Sequence, residues 1–196
     1  MKRIFVLGLF AALFMCANAQ ETAVKKAPKP MSELAKPYDE SLDGMKQIAD
    51  AVAKAKAEGK MVMCQVGGNW CKWCLWFADF ITTDEDVKAV VDANYEYIHV
   101  NFSPKNKNEK AFEFFGNPKL GYPFFVVIDA EGKLEGVYES ACLEEGQGYS
   151  KEKVMEFFMA HAPKHECCGH HAEGKECAHK AQPEMQCGHC KMHQLK

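Results

Sequence analysis

Met61-Val62-Met63-Cys64-Gln65-Val66-Gly67-Gly68-Asn69-Trp70-Cys71-Lys72-Trp73-Cys74 is the stretch that decides the fold. Met61 to Val66 is a short apolar run and reads as a buried strand; Gly67-Gly68-Asn69 ends it. Trp70 to Phe80 then reads as a helix opening at Cys71. Two intervening residues on a first helical turn bring two sulfurs close enough to bond. The first sulfur then sits at the helix N-terminus, beside free backbone N–H groups and the positive dipole end, where thiolate is favoured. Half a zinc site has the same Cys-x-x-Cys spacing, so the motif alone leaves both chemistries open.

Outward from this stretch the pattern is regular. Upstream, Leu42, Met45, Ile48, Ala49 and Val52 recur at helical spacing, and Gly59 supplies a stop, which predicts a helix over 41–58. Downstream, Thr83 followed by Asp86 signals an N-cap for a further helix through Val87, Val90 and Val91. A β-rich run follows at 95–102, then a polar loop at 103–108 and a short helix at 109–115 stopped by Gly116-Asn117. Residues 123–128 (PFFVVI) read as a strand, 129–132 as a turn and 133–139 as its hairpin partner. A helix over 150–162 closes the pattern, with Val154, Phe157 and Phe158 on one face. Strands alternating with helices predict an α/β fold with a mixed sheet.

The block Gly68-Asn69-Trp70-Cys71-Lys72-Trp73-Cys74 after a buried strand resembles the thioredoxin superfamily. So does the block Gly121-Tyr122-Pro123-Phe124-Phe125-Val126-Val127-Ile128-Asp129-Ala130-Glu131-Gly132-Lys133. The likeness is to the secreted thioredoxin-like proteins of bacteria, and it covers about residues 41–162. It implies a thioredoxin fold, a central mixed sheet flanked by helices, and thiol-disulfide oxidoreductase chemistry that needs no cofactor. It makes Cys71 the nucleophile and Cys74 the resolving thiol. Pro123 matches the family's cis-proline, which would leave the Tyr122 backbone free to pair with an extended substrate, and Trp70 would flank the same groove. The implied partners are protein thiols and disulfides, with electrons fed from a membrane donor if the protein is a reductase. One departure is Gln65, which stands where the family often has a buried Asp that assists proton transfer at the resolving thiol. An amide cannot act as that base.

Other residues near the motif have plainer readings. Lys72 either favours the Cys71 thiolate or is an exposed lysine. Trp73 and Trp76 read as packing or surface aromatics, Cys64 as a small buried hydrophobe and His99 as a structural strand residue. Cys142 follows the hairpin at an expected surface position, with no assignable partner.

Composition bounds the rest. The chain has 196 residues and a formal charge of −3, which lacks the basic field that holds nucleic acid. Residues 1–19 (MKRIFVLGLFAALFMCANA) have a charged start, an apolar run and a small-residue end, so they predict a cleaved secretory signal with a mature chain from Gln20. Lipoprotein processing at Cys16 is disfavoured by bulky Met15. After cleavage no segment is long and apolar enough to cross a bilayer, and the expected location is periplasmic or secreted. Nine of the ten cysteines remain, in a compartment where disulfides form. Residues 20–37, rich in Lys, Ala and Pro, predict a flexible linker, 38–162 the domain and 163–196 a disordered Cys/His-rich tail.

That tail holds five cysteines and six histidines with almost no large apolar residue. Thiolate and imidazole suit zinc or copper(I), and the candidate ligands are Cys167, Cys168, His170, His171, Cys177, His179, Cys187, His189, Cys190 and His193. Two rival readings are a disordered end with oxidised cysteines, and electron exchange between Cys187/Cys190 and Cys71/Cys74. The alternative function is therefore a metal-binding or metal-handling protein acting through the tail.

Overall fold

A computed structural model of the chain describes residues 29–164. Five α-helices and a four-stranded sheet account for most of them: α1 (Gly44–Glu58), β1 (Met61–Gly67), α2 (Lys72–Thr83), α3 (Glu85–Asn94), β2 (Tyr95–Asn101), α4 (Glu109–Phe114), β3 (Phe124–Ile128), β4 (Leu134–Glu139) and α5 (Lys151–Ala160). Between β4 and α5 lie a 3-10 turn, Ala141–Leu143, and a two-stranded ribbon, β5 (Glu144–Glu145) with β6 (Gly148–Tyr149).

The sheet order is β2-β1-β3-β4, with β1 parallel to β2 and antiparallel to β3, and β3 antiparallel to β4. A parallel pair needs a crossover, which α2 and α3 supply between β1 and β2. Helices cover both sheet faces, so β1 and β3 are buried on both sides and read as continuous apolar runs. Alternation then sorts the side chains. Val62, Cys64 and Val66 pack with Ile48, Ala51 and Ala55 of α1. Met63 packs on the opposite face with Phe77 of α2, Val87 of α3 and Phe158 of α5. Each fully buried Phe contributes roughly 1.5–3 kcal/mol relative to an exposed one.

Local capping explains the helix ends. The Asp43 carboxylate accepts from Lys46 N–H at 2.9 Å, so α1 opens at Gly44, slightly later than its apolar spacing suggested. Gly59 closes it in the left-handed conformation, φ 69°. The α2–α3 boundary differs from expectation. Asp84, not Thr83, is the N-cap of α3, accepting from Val87 N–H at 3.1 Å. Thr83 completes α2, and its hydroxyl donates to the Asp79 carbonyl at 2.7 Å. A carboxylate takes the cap because it is the stronger acceptor at a helix N-terminus.

Part of the segment expected as a linker, residues 29–37, falls among the described residues. Residues 29–37 lie against α2. Trp76 Nε1 donates to the Lys29 carbonyl (2.8 Å), Lys29 Nζ pairs with Asp79 (2.6 Å), and Met31–Glu33 forms a 3-10 turn. Leu34 is buried beside Leu75. Two apolar residues among the lysines and prolines suffice to dock the strap, because α2 leaves an apolar strip uncovered there. Residues 20–28, the leader and the tail from 165 lie outside the described residues. Among those described, no helix is long and apolar enough to cross a membrane.

Candidate active site

β1 delivers the chain to the site and two glycines turn it. A Cβ on Gly67 would lie 2.5 Å from Cys74 Sγ, and one on Gly68 would lie 2.9 Å from the Phe102 carbonyl oxygen. Only bare backbone fits at either position. Asn69 then ties the turn to the strap: its Oδ1 accepts from Tyr38 N–H (3.2 Å) and its Nδ2 donates to the Tyr38 carbonyl (2.7 Å).

Cys71 is the N-cap of α2. Its sulfur accepts from the Cys74 backbone N–H at 3.1 Å, taking the cap position usually held by an oxygen. Cys71 and Cys74 are joined by a disulfide with Cα atoms 5.2 Å apart. Burial separates the two sulfurs' environments: Cys71 keeps 7 % of its surface while Cys74 keeps none. An external reactant can therefore approach Cys71 alone.

The groove residues expected from the sequence surround that sulfur. The Tyr122–Pro123 bond is cis, and the Tyr122 carbonyl oxygen lies 3.5 Å from Cys71 Sγ. Trp70 is half exposed and fixed by Nε1–H donating to the Phe102 carbonyl at 2.7 Å. Its ring meets Tyr122 edge-on at 5.4 Å, and Tyr122 stacks on Phe102 at 5.3 Å. An aromatic wall thus borders the accessible face of the disulfide.

Behind the disulfide, Gln65 is fully buried and committed at both ends. Its Nε2 donates to the Cys74 carbonyl (2.8 Å), and its Oε1 accepts from the Tyr97 hydroxyl (2.8 Å). Burial pushes the Tyr97 phenol well above its ordinary range. Tyr38, which sequence reasoning missed, packs with Cys71, Cys74 and Leu75. No motif marks it, because it reaches the site only through the docking of the strap.

The remaining candidates fall into place around this centre. Lys72 is exposed and sets its ammonium 4.4 Å from the Trp76 ring centroid. Trp73 packs edge-on against Trp76 (5.1 Å) and Tyr149 (5.6 Å). Cys64 is a buried free thiol on the far face of β1, and burial raises its pKa. Burial pushes His99 down to about 4, and its Nε2 has no partner among the described residues. Cys142 is half-buried in the 3-10 turn rather than exposed, since the turn packs against the α5 cluster. The ten tail ligands, Cys167 to His193, lie outside the described residues. Among the described residues no group of three or more His, Cys, Asp or Glu is placed to hold a metal.

Residues 43–130 match the Thioredoxin-like family Thioredoxin_7. The thiol:disulfide interchange protein DsbD of Colwellia psychrerythraea is 24 % identical over 127 residues, covering 64 % of this chain and 21 % of that protein. The chain thus spans about a fifth of that relative's length. Among solved structures, a disulphide isomerase from Xylella fastidiosa Temecula1 has a TM-score of 0.57 and 24 % identity, over 64 % of this chain and 96 % of that one. A DsbH oxidoreductase has a TM-score of 0.45 and 22 % identity, over 66 % and 86 %.

Proposed function

Because residues 43–130 match a Thioredoxin-like family around the Cys71–Cys74 pair, we propose that this chain is a thiol-disulfide oxidoreductase that reduces protein disulfides outside the cytoplasm, through Cys71 as nucleophile and Cys74 as resolving thiol. The observation that carries this reading is Cys71 at the N-cap of α2, its sulfur accepting from Cys74 N–H while Cys74 is sealed beneath it.

In the reduced protein that N–H and the helix dipole stabilise the Cys71 thiolate. The thiolate attacks one sulfur of the substrate disulfide. The substrate S–S bond breaks, a Cys71–substrate disulfide forms, and the first substrate thiolate leaves and takes a proton from solvent. Cys74 gives its proton to solvent, its thiolate attacks Cys71 Sγ, and the second substrate thiolate leaves and is protonated by solvent. Two electrons have passed to the substrate, and Cys71–Cys74 is oxidised. A dithiol donor at the membrane would restore the pair by the reverse exchange. Trp70, Tyr122 and Pro123 are proposed to hold the substrate strand against Cys71, with the Tyr122 backbone as its hydrogen-bonding edge. The reducing direction follows the commonest role in the family the sequence resembles. The extracytoplasmic location follows the signal-like residues 1–19.

Trapping tests the reading. A Cys74→Ser chain cannot resolve, so it should accumulate mixed disulfides in its own cell that a reductant releases and that Cys71→Ser abolishes. No adducts, together with a wild type inert towards model disulfides, would sink it. A potential well above that of cellular dithiol donors would overturn the reducing direction alone.

A second reading rests on the composition of the tail: residues 163–196 hold zinc or copper(I) through cysteine and histidine. The reduced full chain should then bind either metal in calorimetry, and deletion of 163–196 should abolish that uptake while leaving disulfide reduction intact. Equal uptake by both chains, or none by either, removes this reading.

A further inference from the structure

Tyr38 is 2 % exposed and held from both sides. Asn69 fixes its backbone with two hydrogen bonds, and His99 meets its ring edge-on at 5.1 Å. Its hydroxyl lies beside the Gln65 side chain but makes no hydrogen bond of normal geometry among the described residues. The direction of that hydroxyl is informative. The point a Cβ on Gly67 would occupy lies 3.1 Å from Tyr38 Oη and 2.5 Å from Cys74 Sγ, so both atoms border the space over the same bare Cα.

Two other polar side chains near the buried sulfur are already engaged. Gln65 binds the Cys74 carbonyl and Tyr97, and the Tyr149 hydroxyl donates to the Trp73 carbonyl at 3.1 Å. A buried hydroxyl left unpaired is costly, and native structures rarely keep one without a use. A disulfide sulfur is a poor acceptor; a thiolate is a strong one. An acceptor for the Tyr38 proton therefore arises at Cys74 when the disulfide opens.

We propose that Tyr38 is the hydrogen-bond donor to the Cys74 thiolate, supplying behind the active pair the polar support that Gln65 does not. This rests on the redox reading of Cys71 and Cys74 and adds a residue to it. When a dithiol donor attacks Cys71 Sγ, the Cys71–Cys74 bond breaks and a Cys71–donor bond forms. Cys74 leaves as a thiolate and accepts the Tyr38 hydrogen bond, the proton staying on the phenol oxygen; the donor's second thiolate then attacks the donor sulfur, Cys71 leaves as a thiolate, and the donor is oxidised to its disulfide. Burial holds the Tyr38 phenol well above its ordinary range, so it remains a donor throughout the working pH. The bond exists only once the disulfide is open, so it favours the reduced pair, with Cys74 as thiolate, over the disulfide.

The test uses full-length Tyr38→Phe, which keeps the ring and removes only the hydroxyl. Wild type and variant are equilibrated in glutathione buffers and read at Cys71 and Cys74 by differential alkylation and mass spectrometry. The variant should show about a tenfold smaller equilibrium constant for reduction, which for a two-electron couple is about 30 mV. Its oxidised form should be at least as stable as the wild type in urea, and its reduced form less stable. An unshifted constant, or equal losses in both redox forms, overturns the assignment. In the wild type alone, the ¹³Cζ resonance of Tyr38 should move on reduction; a stationary resonance overturns it as well, whether or not the variant folds. A wild-type couple that does not titrate in glutathione would instead overturn the redox reading, and this assignment with it.

Discussion

Gln65 Nε2 donates to the backbone carbonyl of Cys74 at 2.8 Å, across from the centre of the sheet to the first turn of α2. A side chain with no exposed surface thus anchors the buried member of the disulfide. Its other end is held by Tyr97 of the neighbouring parallel strand, so β2, β1 and α2 share one polar link.

Removing that link should be expensive. Gln65→Ala strands the Tyr97 hydroxyl in the interior, removes the side-chain bond to the Cys74 carbonyl and leaves a void. The expected loss is about 2–4 kcal/mol. Urea denaturation of the oxidised chain measures it, and a loss under about 0.5 kcal/mol would contradict the anchoring role.

Gly67 has no room for a side chain. In Gly67→Ala the new Cβ must displace Cys74 Sγ or the Tyr38 hydroxyl. Small misplacements at reacting atoms cost large factors in rate, so reduction of a model disulfide should fall by about 10–100-fold. Gly148→Ala, which meets nothing within 4 Å, is the control and should keep its rate.

The aromatic wall separates large substrates from small ones. Trp70 touches Tyr122 and stands half exposed beside the disulfide, but it takes no part in holding Cys71 or Cys74. Trp70→Ala should raise KM for a protein disulfide by roughly 5–20-fold, about the 1–2 kcal/mol of a lost aromatic contact. It should leave the rate with a small-molecule disulfide nearly unchanged. Equal losses on both substrates would place Trp70 in the redox chemistry instead.

His99 confers a pH dependence on stability. Its pKa falls from the ordinary 6.5 to about 4 because burial disfavours the cation. The unfolded chain therefore takes up a proton across that window and the native chain does not, so stability is complete above about pH 7 and falls as pH drops towards 4. The full effect is about 3 kcal/mol. Urea titrations at pH 7 and 4.5 should show a smaller loss for His99→Gln than for the wild type; identical losses would contradict a buried neutral His99.

The strand, the Gly-Gly turn, the Cys-x-x-Cys helix and the β3–β4 hairpin were legible because each is written in adjacent residues. Apolar period, turn glycines and helix-opening cysteines act over a few positions, and they locate Cys71 and Cys74 without reference to the rest of the chain; Pro123 was picked out by the family resemblance of its block. Even here the α2–α3 junction misled, since Thr83 and Asp84 both have side chains that can cap and only the path of α2 decides between them. The β5–β6 ribbon was missed because two-residue strands carry no period to detect.

Sequence alone determined which sulfur heads the helix and which element follows which, because local sterics and hydrophobic spacing suffice for that. Tertiary structure decided what surrounds those sulfurs. Met31 and Leu34 dock the strap, the strap carries Tyr38 over Gly67, and Gln65 on β1 meets a carbonyl on α2. These are contacts between segments distant along the chain, set by how whole elements pack, and no short stretch of residues encodes them.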